Sequence, residues 1–137
     1  MNRIGWSRIL FGLAAAYDAV LGILFLVAAS WVYTRYEVTP PNHWGYIQFP
    51  AALLLIFAVM FVAIARDPEG NRGLILYGIG LKVSYCAVAF GHWFGSGIPW
   101  MWKPFAIADV VMLALFVWAY AALGASARQP LEASPGG

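Results

Sequence analysis

Residues 9–32 read ILFGLAAAYDAVLGILFLVAASWV, an apolar run broken by a single charge, Asp18. About 20 predominantly apolar residues in helix cross the ~30 Å of bilayer hydrocarbon at 1.5 Å per residue, and this run is longer than that. A signal peptide is the competing reading, because Arg3 and Arg8 precede the run and Val27-Ala28-Ala29 has the form of a cleavage site. A signal peptide's apolar region spans only about 7–15 residues, and Asp18 would be out of place in one. The stretch is therefore expected to remain as a membrane helix, from about residue 6 to 33.

Three more apolar stretches follow, at about 46–65, 73–94 and 104–124. Each reaches the length of a span, and helix is the state that satisfies its backbone in lipid. Pro40-Pro41-Asn42 ends the first link, Arg66-Asp67-Pro68-Glu69-Gly70-Asn71-Arg72 forms a polar turn, and Gly95-Ser96-Gly97-Ile98-Pro99 makes the third break. Pro104 suits the first turn of the last helix. Links this short predict an antiparallel bundle of four transmembrane helices, an all-α membrane protein. It forms one domain over residues 1–128, with 129–137 as a disordered cytoplasmic tail.

Composition supports lipid as the solvent. Of 137 residues, 63% are hydrophobic and 10% charged, against about 45–50% and about 25% in soluble domains. The formal net charge of +2 comes without any run of Lys and Arg, so nucleic acid is excluded as a partner. Cys86 stands alone, which removes intrachain disulfides, CxxC redox pairs and cysteine-based metal clusters. His43 and His92 are the only histidines and lack metal-binding spacing, so no metal site is expected, and a bis-histidine haem is poorly supported. Ser84 and Ser96 have no nearby triad partners, and no catalytic residue is assigned.

Orientation follows from the cations. With the N-terminus inside, Arg3, Arg8, Arg66, Arg72 and Arg128 are cytoplasmic while Arg35 and Lys103 face out. This obeys the positive-inside rule with both termini in the cytoplasm. Trp31, Tyr33, Tyr36, Trp44, Tyr46, Trp93, Trp100 and Trp102 crowd the outer end. They form either an interfacial belt or the lining of a hydrophobic cavity or docking surface.

Three charges fall where hydrocarbon should be. Asp18 lies ten residues beyond Arg8, ~15 Å deep, and Lys82 lies about 13–14 Å from the same face. Asp109, five residues past Pro104, is expected one to two turns further out. A charge at bilayer centre costs ~2.5–3.5 kcal/mol or more, so the three should point inward with Lys82 between the carboxylates. The stripes Ala14, Asp18, Gly22, Phe25 and Gly78, Lys82, Tyr85, Ala89, His92, with Phe105, Asp109, Met112, Phe116, each share one helix face. Asp18, Lys82, Tyr85, His92 and Asp109 are thus the candidate binding residues. A row His92–Asp109–Lys82–Asp18 would serve as a proton path, a polar pocket, or an ion network that fixes helix register.

Arg8 with Gly12 and Gly22, the Gly78-x-Gly80-x-Lys82 pattern, and Ile98-Pro99-Trp100 followed by Asp109 and Phe116 resemble the small four-helix membrane proteins of the DoxX-like group. The resemblance covers most of the chain. It implies a multi-pass protein of the bacterial inner membrane, in a group sometimes associated with redox or sulfur metabolism, and it assigns no catalytic residue. The expected role is an accessory or binding component, with a quinone, a lipid or a larger membrane complex as partner and no particular cofactor indicated. A membrane oxidoreductase subunit with a proton-coupled polar core and an oligomeric transporter or channel are the alternatives.

Overall fold

The structure, a computed structural model, describes residues 2–127. The tail at 129–137 and the Arg128 counted for orientation lie outside the described residues. Five α-helices follow in order: α1 Arg3–Val27, α2 Ala29–Arg35, α3 Gly45–Arg66, α4 Ile75–Phe94 and α5 Lys103–Ala127. Single 3₁₀ turns at Arg72–Leu74 and Trp100–Trp102 lead into α4 and α5. Four segments are long and apolar enough to cross a membrane: α1, α3, and α4 and α5 with their leading turns.

The first helix expected at 6–33 is two helices. Ala28 leaves helical geometry at φ −132°, ψ 23°, and the chain turns so that α2 lays Ala29, Val32 and Tyr33 inward. Those three join Phe25, Ala51 and Met101 in a cluster, the outer cluster, at the end of the bundle expected to face out. The other face of α2, with Ser30, Trp31, Thr34 and Arg35, stays exposed. The break frees carbonyls at the end of α1, and the Gln48 amide donates to that of Leu26 at 3.5 Å. Gln48 has no assigned role in the sequence; here it ties α3 to α1.

The end of α2 is closed by a Schellman motif. Glu37 N–H donates to Thr34 O and Val38 N–H to Tyr33 O, while Val38 packs on the outer cluster. The motif places Glu37 at φ 54°, the left-handed region that costs an L-residue about 1–2 kcal/mol. At the other end of the molecule, the Asp67 side chain accepts from Gly70 N–H at 3.0 Å, and Asn71 Nδ2 donates to Ala63 O at 3.0 Å. The polar turn thereby completes the hydrogen bonding where α3 stops.

α1 packs along α3 and α4 along α5, whereas α3 and α4 approach each other little. α1 and α3 approach closely at Gly22, where an added Cβ would stand 2.8 Å from Leu55 Cδ2 and 2.9 Å from the Ala51 carbonyl. Contacts of α1 with α5 and its leading turn run from Arg3–Ala122 through Phe11–Phe116 to Phe25–Trp102. One number rises as the other falls, as between antiparallel neighbours. The inner core is a trio of rings from three helices, Phe11, Phe61 and Phe116, with centroids 4.8 to 5.9 Å apart and no exposure.

Candidate binding site

Between the inner ring trio and the outer cluster lies the polar centre. Lys82 is a little over two turns into α4, and Gly78 one turn earlier leaves room for the Phe61 ring beneath it; a Cβ on Gly78 would meet Phe61 Cε1 at 2.8 Å. Lys82 Nζ donates to Asp18 Oδ1 on α1 at 3.2 Å and to Asp109 Oδ1 on α5 at 3.0 Å. Lys82 is 1% exposed, Asp18 0% and Asp109 6%. Three charges so buried persist only when paired and hydrogen-bonded, and one lysine here serves both acids. Asp109 is expected one to two turns further out than Lys82, yet their side chains meet at 3.0 Å.

Beside the three charges is a cavity of about 310 Å³. Small-molecule sites occupy ~300–1,000 Å³, so this one is sized for a ring or a short chain. Its walls are apolar: Leu21 and Phe25 from α1, Leu54 and Phe57 from α3, Leu81 from α4 and Phe105 from α5. It reaches the surface beside Tyr46, Pro50 and Leu53 of α3, which line it and are also exposed. Pro50 has no N–H to give the Tyr46 carbonyl, so the helical ladder is interrupted at this mouth.

Polar groups at the floor of the cavity are incompletely satisfied. Asp18 Oδ2, Tyr17 Oη and Tyr85 Oη are buried without a hydrogen-bond partner. Buried polar atoms are paired in the large majority of cases, and each exception calls for an explanation. The three residues that carry these atoms line one cavity here. Tyr17 also faces Lys82, whose Nζ stands 5.3 Å from its ring centroid.

Asp18, Lys82, Tyr85 and Asp109 are brought together around this cavity. His92 is not. It is exposed, lies outside the lining and is ten residues beyond Lys82, nearly three helical turns or ~15 Å along α4. The proposed row from His92 to Asp109 is therefore broken at its first link. Tyr17 is the site residue that sequence reasoning missed; a phenol beside Asp18 in an otherwise apolar run was the available signal. The outer aromatics divide between the two readings given for them. Trp31, Tyr36 and Trp100 are exposed, whereas Tyr33 packs edge-on against Trp44 and Trp102, and Trp102 stacks on Phe25 above the cavity.

Among the described residues no group of three or more His, Cys, Asp or Glu has a geometry for holding a metal ion. Comparison of the chain with family profiles, with curated proteins and with solved structures finds no match.

Proposed function

We propose that this small membrane protein is a binding component that takes a hydrophobic small molecule from the bilayer into the cavity between its helices. The observation that carries this reading is the set of unpartnered polar atoms, Asp18 Oδ2, Tyr17 Oη and Tyr85 Oη, on three residues that line an apolar chamber. An apolar pocket with a few convergent polar groups is the usual form of a ligand site. The opening beside Tyr46, Pro50 and Leu53 would admit the ligand sideways, since these residues lie on the lipid-facing side of α3. A quinone head or a single lipid chain fits the volume, whereas a whole two-chain phospholipid does not.

The setting is part of the proposal: a bacterial inner membrane, as the DoxX-like resemblance implies, with both termini in the cytoplasm. Arg3, Arg66 and Arg72 gather at one end of the bundle and Arg35 and Lys103 at the other, which supports that orientation.

The test is retention. The full chain is purified in a mild detergent beside Leu54→Trp, which fills the chamber, and both are examined by native mass spectrometry before and after incubation with decylbenzoquinone. The reading expects adducts on the parent chain that Leu54→Trp lacks. Equal occupancy in both overturns the chamber as the site, and none in either overturns a quinone as its ligand.

A further inference from the structure

The head group that the chamber would accept can be narrowed from its charges. Lys82 spends its two ion pairs on Asp18 Oδ1 and Asp109 Oδ1. With both acids ionised, two carboxylates against one ammonium leave one formal negative charge, in side chains at most 9% exposed. The row reads carboxylate, ammonium, carboxylate; neither outer oxygen accepts a hydrogen bond, and of the two Asp18 Oδ2 is the one fully buried. A positive donor at that end would complete the alternation and make the centre neutral. An anion would add to the excess and is disfavoured on the same count. A neutral hydroxyl would satisfy the oxygen but leave the charge.

The surroundings suit an organic cation better than a metal ion. Tyr17, Phe57, Tyr85, Trp102 and Phe105 present rings to the chamber, and aromatic enclosures attract cations through their ring quadrupoles by ~0.5–2 kcal/mol. Lys82 already shows such a contact, with its Nζ 5.3 Å from the Tyr17 ring centroid. A hard metal ion would need several oxygen ligands, and among the described residues no group of three or more His, Cys, Asp or Glu could hold one. The two unpartnered phenol oxygens can each accept an N–H. The apolar walls then require an apolar body behind the charged head.

We infer that the chamber recognises an apolar-bodied protonated amine, its ammonium on Asp18 Oδ2 between the Tyr17 and Tyr85 hydroxyls and its body against the aromatic wall. This rests on the binding reading above. The head displaces no existing bond, because each group it uses lacks a partner. The amine reaches the site through the same opening beside Pro50, so its body must partition into lipid first.

Three compounds with one body and three heads test this: 4-phenylbutylamine, 4-phenylbutanol and 5-phenylpentanoate. Each is titrated calorimetrically at pH 7 into the full chain in maltoside micelles, with Leu54→Trp as the blank for partition into detergent. The amine is expected to bind about tenfold more tightly than the alcohol, and the carboxylate no more than the blank. In Asp18→Asn, where Lys82 keeps Asp109 as a one-to-one pair, the amine should fall to the level of the alcohol. Equal binding of amine and alcohol by the parent chain overturns the ammonium while leaving the chamber standing. If no compound exceeds the blank, the chamber itself fails as a site. The parent-chain comparison needs no variant, so a poorly folding Asp18→Asn does not rescue the inference.

Discussion

Replacing Lys82 by Met removes the only cation from a centre in which two carboxylates depend on it. Both contacts are short, 3.2 and 3.0 Å, and all three side chains are buried. Breaking a buried ion pair by deleting one partner costs ~3–5 kcal/mol, because the abandoned charge remains in a dry site. Here two charges are abandoned, so Lys82→Met should fall at the upper end of that range. Neutralising Asp18 alone does not repair the damage, since Asp109 is bonded to the same lysine. Lys82→Met with Asp18→Asn should therefore recover only part of the loss. The triple change, with Asp109→Asn added, should return to within ~1 kcal/mol of the parent, as uncharged replacements of buried pairs often do. The assay is unfolding by sodium dodecyl sulfate from mixed micelles, followed by helical circular dichroism, with the couplings taken from the multiple-mutant cycle. If the triple variant is as unstable as Lys82→Met, or if Lys82→Met costs under ~1 kcal/mol, the three charges do not form one energetic unit.

Three further substitutions probe the frame around that centre. Glu37→Gly should raise stability by ~0.5–1 kcal/mol in the same titration, since glycine takes φ 54° without strain; a loss would count against the Schellman ending of α2. Gly22→Val should cost ~1–3 kcal/mol or more by forcing α1 from α3, because even a Cβ meets Leu55 and the Ala51 carbonyl; an unchanged midpoint would show that the helices are not so close. Arg72→Lys keeps the charge yet should lose ~1–2 kcal/mol. The guanidinium donates to Tyr120 O at 2.8 Å and lies 3.7 Å from the centroid of that ring, and a lysine retaining full stability would refute that lock.

The helices were legible because lipid imposes one rule on every residue of a span, so length and apolarity suffice. Depth was legible for the same reason: rise per residue set Asp18 and Lys82 at one level, and their side chains stand 3.2 Å apart. Lateral relations were harder to read. A stripe that repeats at three and four residues places His92 on the face of Lys82 but not at its height, and His92 ends up exposed. The break at Ala28 left no Pro or Gly to announce it; it comes from the outer cluster drawing Val32 and Tyr33 inward, a tertiary effect. The cavity was equally hidden, since it exists where α3 and α4 diverge, and no single helix encodes that gap.

The trio of Phe11, Phe61 and Phe116 has a bearing on leakage. A bundle that carries charges at mid-depth risks becoming a wire for protons, dissipating the gradient of the membrane in which it sits. The three rings lie on the inner side of the charged centre, fully enclosed, and offer no hydrogen-bonding atom for a water chain to follow. They act as an electrical gasket. With these rings in place, the voltage across a membrane would fall across hydrocarbon and packed phenyl groups instead of a hydrated channel. Widening that gasket, for instance with Phe61→Ala, would turn a sealed receptacle into a candidate leak.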